Sequence, residues 1–352
     1  MESPDYLKGE HLVTGLTEQE LYSRLADLPR PHYPFPDLTN PKMEELAQEY
    51  YRWIDEDYAF HSEQARTRHK RHRLTDLAAR AFPFLTLAEL RPVARYASSG
   101  AMMDDYFDRC SHDEMSAIRE RIMALLTGDD DEPPHDLGIY RQFHQLRQDA
   151  IACGMPMHLY ENFIVAINQM LTGFQDEKRY IALNRPAPLP VFLTIRECTS
   201  GGAPFAKYLC MQKDFRTLPD TVLEHPAILR MHALSSRIIG WHNDIVSLPK
   251  ELSRRGDVIN LVITLRHEHN VSLTEAYMMA LKFHDNDLKE LITLTDNLPD
   301  FSQWQDRAVE YAHTIGIMLQ GVYSWHTKNS LRYVPGSYVE PEYISQEFRW
   351  KC

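Results

Sequence analysis

Cysteine is scarce in this sequence, and long apolar runs are missing from it. The 352 residues include five cysteines, at positions 110, 153, 198, 210 and 352, and none of them forms a CxxC pair. This pattern argues against a zinc cage or a disulfide framework and is typical of a reducing compartment. No uncharged run approaches the ~18 residues of a membrane-spanning helix, and the first residues lack an apolar stretch of signal-peptide type. We therefore expect a cytoplasmic protein without a membrane span.

The sequence also lacks the glycine-rich patterns of nucleotide and nucleophile sites. No GxxxxGK, GxGxxG or GxSxG occurs, which weakens nucleotide-binding and serine-hydrolase interpretations. Lys and Arg number 38 against 50 Asp and Glu, so the net charge is −12, and an acidic chain binds the nucleic-acid backbone poorly. The basic run RTRHKRHR at 66–73 has no interleaved aromatic residue. We interpret it as a solvated helix face or loop.

Helical patterns dominate the remaining sequence. There is no series of short β-branched runs and no Asn-Gly hairpin. The prolines between 29 and 41 predict an extended N-terminal segment over 1–40, with a helix starting near Pro41. We predict one all-α domain of about ten to twelve helices over 41–334, followed by a tail or lid over 335–352. The later segments of helical length are 140–152, 156–183, 190–213, 225–253, 258–268, 272–295 and 301–331.

Three aspartates stand together in the stretch GAMMDDYFDRC, residues 100–110. In a helix, Asp104 and Asp108 lie on one face and Asp105 lies about 100° away, where it could serve a second ligand or an arginine. Ionised carboxylates beside a core are costly without a partner. The stretch is therefore either a solvated helix end or a site for a cation.

A second set of oxygen ligands recurs at helical spacing in WHNDIVSLPKEL, residues 241–252. Asn243, Ser247 and Glu251 follow one another at i, i+4 and i+8 and so share a helix face. Their amide, hydroxyl and carboxylate oxygens suit Mg²⁺ or Mn²⁺, and magnesium often completes its shell with water and substrate phosphates. Two such half-sites are what a metal-bound diphosphate needs. Pro249 can kink this helix and displace Glu251.

Arginines accompany both acidic segments. Arg196 opens RECTSGG, where a planar guanidinium can bind phosphate oxygens and TSGG interrupts a helix so that the backbone can approach a ligand. Near the end of the chain, Arg332 offers a second anion contact and Tyr333 a phenol donor. Lys250 either contacts the same anion or is solvated.

With these four segments in this order, the sequence resembles the bacterial class I terpene synthases, also called terpene cyclases. DDYFD at 104–108 is similar to the family's aspartate-rich motif, and NDIVSLPKE at 243–251 to its metal-binding triad. By the same resemblance Arg196 is the diphosphate sensor, Thr199 the linker and Ser200 the effector, while residues 332–333 match the family's RY pair.

The resemblance implies a class I terpenoid synthase-like helical bundle around a central active-site cavity. It implies a Mg²⁺ cofactor of about three ions, with Mn²⁺ as the alternative. The implied metal ligands are Asp104, Asp105, Asp108, Asn243, Ser247 and Glu251, and the implied diphosphate contacts are Arg196, Lys250, Arg332 and Tyr333.

The reaction implied is metal-dependent ionisation of a linear prenyl diphosphate and cyclisation of the resulting carbocation. The protein must stabilise that cation and exclude water, and aromatic faces suit this task; Phe84 and Trp325 are the predicted rings. Farnesyl diphosphate (C15) is favoured by the family's base rates. The small residues of ASSGA at 97–101 leave room for a longer chain, so geranylgeranyl diphosphate (C20) stays open.

Other functions account for parts of the sequence. A chain-elongating prenyl diphosphate synthase shares the first acidic motif but has a second aspartate-rich motif, which here is Asn/Ser/Glu. His112 and His284, each followed by an aspartate, suggest an HD-type metal phosphohydrolase, and a non-catalytic helical scaffold would leave the joined motifs unexplained. The expected partner is a small-molecule substrate and not a nucleic acid, and a homodimer is the oligomeric state to test.

Overall fold

The computed structural model describes residues 16–107, 109–135, 138–253 and 257–339. Over these residues the chain is α-helical and contains no β-strand, which confirms the predicted all-α class. The prediction of ten to twelve helices is too low for the described part of the chain, because several helices have eight residues or fewer and too few turns to show a clear period. The helices are α1 Glu18–Leu25, α2 Met43–Asp57, α3 Glu63–Lys70, α4 Leu74–Ala81, α5 Leu87–Phe107, α6 His112–Thr127, α7 Gly138–Ala152, α8 Met157–Leu183, α9 Leu189–Thr199, α10 Gly202–Tyr208, α11 Asp220–Leu223, α12 Pro226–Leu252, α13 Leu261–His269, α14 Leu273–Asp296 and α15 Gln305–Ser324, with 3₁₀ segments at Leu209–Thr217 and Ser302–Trp304 and a π-helix at Trp325–Asn329.

The helices belong to two compact units, each assembled from separated segments of the chain. Unit 1 comprises the described residues of Met1–Phe35, Gln169–Ala206 and Thr217–Leu319, and unit 2 those of Pro36–Asn168, Lys207–Arg216 and Gln320–Cys352. The predicted boundaries at 41 and 334 stay a prediction, and most of the predicted tail, residues 340–352, lies outside the described residues.

The prediction of an extended segment over 1–40 is wrong for residues Glu18–Leu25, which form α1. Thr17 and Glu20 form a capping box, in which the Glu20 N–H donates to Thr17 Oγ1 (3.2 Å) and the Thr17 N–H donates to the Glu20 carboxylate (2.8 Å). Leu21 and Leu25 then bury one face of α1 in the core of unit 1, beside Trp241. The proline-rich residues 29–41 are not helical, as predicted.

The core of unit 1 surrounds α12. This helix packs against α1, α9, α13 and α14, and it begins where proline is well suited, with Pro226 in its first turn and the His225 side chain accepting from the Ala227 N–H (3.2 Å). It continues through Pro249 to Leu252. The face of α12 that carries the second predicted ligand set is therefore held on a long and well-packed helix.

In unit 2, α5 packs against α4 and α7 and carries the first acidic segment at its C-terminal end. Helix α2 buries one apolar face in the core of this unit, formed by Leu46, Tyr50, Trp53 and Ile54. No helix in the described part of the chain is long and apolar enough to cross a membrane.

Candidate active site

The first functional cluster lies in unit 1, where the end of α9 packs on α12. Arg196 donates to the Asp244 carboxylate from Nε (3.0 Å) and Nη2 (2.7 Å), and Nη2 also donates to Asn243 Oδ1 (2.8 Å). All donors come from one planar guanidinium, so the arginine is tightly oriented. The structure thus brings the predicted diphosphate sensor against the first residue of the second metal motif.

Asp244, which sequence reasoning did not single out, is the main partner of Arg196. Its side chain is fully buried, and its second oxygen accepts from the Leu261 N–H (2.8 Å). Burial lowers the pKa of Arg196, but the charges of Asp244, Glu177 and Glu251 together with the hydrogen bonds to Asp244 outweigh this effect, and the net shift is upward. The arginine therefore keeps its positive charge inside the protein.

The remaining residues of the second motif follow along α12. Ser247 Oγ donates to the Asn243 carbonyl (2.8 Å), which leaves its lone pairs for a cation. Glu251 accepts from Asn260 Nδ2 (2.6 Å), and the same amide donates to the Asp244 carbonyl (2.8 Å). The helix is not broken at Pro249, and Asn260 holds Glu251 from the start of α13.

The helix break predicted at TSGG is present: α9 ends at Thr199 and α10 begins at Gly202. Thr199 Oγ1 donates to the buried Glu177 carboxylate (2.5 Å), and Ser200 Oγ accepts from the Gly202 N–H (3.2 Å). Gly201 has φ +73°, a conformation that side-chain-bearing residues rarely adopt. The single helix predicted over 190–213 is therefore wrong, because the break and the irregular segment Leu209–Thr217 divide it.

Replacing Gly202 with alanine tests how tightly this break is packed. A Cβ at Gly202 would lie 2.7 Å from the Ser236 Cα, so backbone must move, whereas a Cβ at Gly240 would meet only side-chain atoms, the nearest being Ser200 Cβ at 3.3 Å. We expect Gly202→Ala to lower the free energy of unfolding by about 1–3 kcal/mol and Gly240→Ala to lower it less. Urea unfolding followed by circular dichroism measures both, and equal effects would contradict the close approach at Gly202.

The second functional cluster lies in unit 2, at the end of α5. Asp104 is exposed, whereas Asp105 is buried and paired with buried Arg332: Nη1 donates to Oδ2 (2.9 Å) and Nη2 to Oδ1 (2.6 Å). Burial lowers the pKa of Arg332, but the Asp105 carboxylate, with smaller contributions from Tyr338 and Tyr333, outweighs this effect and the net shift is upward. Asp108 lies outside the described residues. Two adjacent aspartates thus have different surroundings, one facing solvent and one closing a buried ion pair.

The predicted aromatic residues of unit 2 differ from the expectation. Phe84 is 39% exposed and Lys213 Nζ lies 4.1 Å from its ring centroid, so the water-excluding surroundings that a carbocation needs are not found there. Trp325 is buried, but its Nε1–H donates to the Arg73 carbonyl (2.8 Å) and its ring meets Tyr333 edge-on at 5.9 Å. Trp325 is therefore bound to the backbone of residue 73 and packs against Tyr333.

The ligand sets in both clusters fit a hard divalent cation. Asn243, Ser247 and Glu251 present three oxygen types along one face of α12, and Asp104 presents an exposed carboxylate. Within the described residues no three His, Cys, Asp or Glu side chains are grouped so that they could hold a metal ion. Each donor set by itself therefore suits an ion that keeps water or substrate oxygens in its shell, and neither set suits a closed zinc site.

A comparison with protein-family models identifies the family of this chain. The family model described as "Terpene synthase family 2, C-terminal metal binding" matches residues 96–290, a span that includes both metal motifs and Arg196. The chain belongs to the terpene synthase family. It is accordingly an enzyme, a carbon–oxygen lyase acting on a prenyl diphosphate. The predicted family is confirmed, and the HD-type phosphohydrolase and scaffold alternatives are set aside.

Several individual terpene synthases are similar to this chain. It is 29% identical to the 10-epi-cubebol synthase of Sorangium cellulosum, with 83% of this chain and 94% of that protein aligned. It is 25% identical to the (+)-T-muurolol synthase of Roseiflexus castenholzii, over 90% of this chain and 94% of the relative. The germacradien-4-ol synthase of Streptomyces citricolor has a similar fold, with a TM-score of 0.69 and 21% identity over 84% of this chain and 98% of that one.

The histidines of the rejected phosphohydrolase alternative have other surroundings in this terpene synthase. His284 is buried, and its Nε2 lies 2.8 Å from the Tyr33 hydroxyl, which is 2.5 Å from His242 Nδ1. His112 is exposed at the start of α6. Of the residues that sequence reasoning missed, only Asn260 carried a recognisable signal, as the N-cap of the run LVITL. Asp244 and Glu177 carried none.

Proposed function

We propose that this terpene synthase uses Mg²⁺ to ionise farnesyl diphosphate and cyclises the carbocation to a sesquiterpene. The observation that carries the proposal is the hydrogen bond from Arg196 to Asn243. It places a buried guanidinium next to the predicted oxygen ligands of α12. The choice of C15 over C20 is supported by the relatives, since the Roseiflexus protein is named as cyclising (2E,6E)-farnesyl diphosphate. Geranylgeranyl diphosphate (C20) is the remaining alternative substrate.

The proposed metal ligands are those of the two motifs. Asp104, Asp105 and Asp108 belong to the first, and Asn243, Ser247 and Glu251 belong to the second. Bound Mg²⁺ would supply Lewis-acid stabilisation of the departing diphosphate. Asp105 is already paired with Arg332, so a metal ion that binds this carboxylate must share it with the guanidinium or displace it.

The diphosphate itself would be held by cationic and phenolic donors of this chain. We assign Arg196, Lys250, Arg332 and Tyr333 to that role, with Arg196 and Arg332 providing planar forks that match phosphate oxygens. Both arginines are buried and oriented by aspartates before any ligand binds, so little reorganisation is needed as negative charge develops on the leaving group. The Thr199–Glu177 hydrogen bond would fix the helix break and hold the effector, Ser200, in place.

The proposal is tested by incubating the purified protein with Mg²⁺ and, separately, C10, C15 and C20 prenyl diphosphates. We expect gas chromatography–mass spectrometry to detect a cyclic C15 hydrocarbon or alcohol, and we expect EDTA to abolish it. Asn243→Ala should lose the product, while Ser302→Ala, on an exposed 3₁₀ turn, should retain it.

Other outcomes would correct the proposal in defined ways. A cyclic product from the C20 substrate alone would replace the proposed chain length. A longer prenyl diphosphate on addition of isopentenyl diphosphate would show chain elongation. A product formed equally well in EDTA would overturn the proposed metal dependence.

A further inference from the structure

The basic run at 66–73 is not a solvated surface along its whole length. His69 and His72 are fully buried in unit 2, so the predicted solvated face is wrong for these two residues. The rings lie 4.8 Å apart between centroids, and Phe60 packs on His69 at 5.1 Å. Buried imidazoles that no step of the reaction uses need another explanation.

Both histidines bind the backbone of the segment that follows the RY pair. His69 Nδ1 lies 2.9 Å from the Val339 carbonyl oxygen, and His72 Nε2 lies 3.1 Å from the Ser337 carbonyl oxygen. Because a carbonyl oxygen only accepts, each of these ring nitrogens carries the hydrogen and donates it. The Tyr338 ring, between the two carbonyls, stacks on His72 at 5.9 Å with an interplanar angle of 13°.

Arg71 and Arg73, which neighbour the two histidines in sequence, accept hydrogen bonds from two residues that precede the RY pair. The Leu331 N–H donates to the Arg71 carbonyl (3.2 Å), and Trp325 Nε1 donates to the Arg73 carbonyl (2.8 Å). We call residues 69–73 the histidine turn and residues 325–339 the C-terminal strap. Four hydrogen bonds thus connect the turn to both ends and the middle of the strap.

The strap includes Arg332, which pairs with Asp105 at the end of α5. Arg332 makes its two hydrogen bonds to Asp105, and its guanidinium lies 4.9 Å from the ring centroid of Tyr338. Tyr338 therefore lies between the histidine turn on one side and Arg332 on the other. A shift of the strap would move Arg332, and with it the partner of Asp105.

We infer that His69 and His72 are positioning residues, which hold the strap by its backbone carbonyl groups and so fix Arg332 against Asp105. The roles of Arg332 and Asp105 in binding diphosphate and metal rest on the proposed function, whereas the docking of the strap does not. The two imidazoles bind backbone carbonyls, so these two contacts depend on the position of the strap backbone, and the Trp325 and Tyr338 side chains add their own contacts to the turn.

The protonation state of both rings agrees with this role. Burial lowers the pKa of His69 to about 4, and burial together with the neighbouring His69 lowers the pKa of His72 to about 3. Within the described residues, His69 Nε2 and His72 Nδ1 have no hydrogen-bond partner, so a second proton there would be a buried and unsatisfied charge. Both rings are therefore neutral near pH 7, with one N–H each, and that N–H is the one that holds the strap.

Hydrogen–deuterium exchange of the full chain without ligand tests the docking. His69→Phe/His72→Phe keeps two buried rings and removes both donors, and we expect peptides within 325–339 to exchange about tenfold faster or more. His69→Asn/His72→Gln puts amide N–H groups near the positions of Nδ1 and Nε2 and should restore most of the protection. His232→Phe is the matched control, since it removes a buried histidine hydrogen bond in unit 1, to the Tyr311 hydroxyl (2.8 Å), and it should leave the strap unchanged.

Binding of inorganic diphosphate with Mg²⁺, measured by calorimetry, tests the positioning of Arg332. We expect the double phenylalanine variant to bind about tenfold more weakly, and the Asn/Gln variant to recover most of the affinity. Should the double phenylalanine variant fail to fold, Tyr338→Leu removes the stack on His72 from a partly exposed position and is expected to raise strap exchange in the same way.

The outcomes separate the inference from the proposed function. Unchanged strap exchange in the folded variants would overturn the docking, and faster exchange with unchanged diphosphate binding would overturn the positioning role. Lack of turnover of every prenyl diphosphate by the unmodified enzyme would overturn the proposed function, and the exchange result would stand.

Discussion

Replacing Arg196 with methionine is expected to lower the free energy of unfolding by about 3–5 kcal/mol, because the substitution leaves the Asp244 carboxylate buried without its counter-charge. Turnover of farnesyl diphosphate should fall by about 10²–10³-fold, since the guanidinium proposed to bind the diphosphate is lost. Urea unfolding and steady-state kinetics with farnesyl diphosphate measure the two effects separately.

A second substitution separates stability from chemistry in this cluster. In Arg196→Met/Asp244→Asn the buried charge is removed, while the asparagine oxygen can still accept from the Leu261 N–H. We expect about half of the lost stability to return, with turnover remaining low. If turnover recovered together with stability, the role of Arg196 would be structural and the proposed contact with diphosphate would be wrong.

The adjacent carboxylates of the first motif are expected to respond very differently to the same change. Asp104→Asn alters an exposed side chain and should change the free energy of unfolding by less than about 0.5 kcal/mol, while activity falls by about 10²-fold or more through loss of a proposed metal ligand. Asp105→Asn leaves the Arg332 guanidinium buried opposite a neutral amide and should cost about 3–5 kcal/mol.

Thermal and urea unfolding of the two variants, beside activity over a range of Mg²⁺ concentrations, provide the comparison. Both variants replace an aspartate with asparagine, and they do so at adjacent positions, so each serves as the control for the other. Equal losses of stability would contradict the buried Asp105–Arg332 pair. Full activity in Asp104→Asn at every Mg²⁺ concentration would contradict the proposed role of this carboxylate.

The parts of the site that could be predicted are those built from neighbouring residues in the chain. Asn243, Ser247 and Glu251 share a face because they lie on one helix, and that helix is visible as a period in the sequence. The break after Thr199 follows from the adjacent glycines. The extended segment predicted over 1–40 does not include α1 although its capping box is present in the sequence, because the prolines that follow the helix indicate extended chain.

The partners of the charged residues could not be predicted in this way. Arg332 and Asp105 are 227 positions apart, and His69 and Val339 are 270 apart. Neither the hydrophobic period nor the helix propensity of a segment predicts such pairs, since they form only when segments far apart in the chain pack together. The basic run at 66–73 illustrates the difficulty: its composition indicated a solvated surface, yet two of its members are buried.

By itself, the sequence determined the all-α class, the family and the two candidate sets of oxygen ligands, because each depends on residue type and on spacing along a helix. The tertiary structure alone decided that Asp104 faces solvent while Asp105 closes an ion pair, that Asp244 holds Arg196, and that the histidine turn holds the strap. The physical reason is that the effect of a charge or an imidazole is set by its desolvation and its partner, and both arise only when segments far apart in the chain pack together.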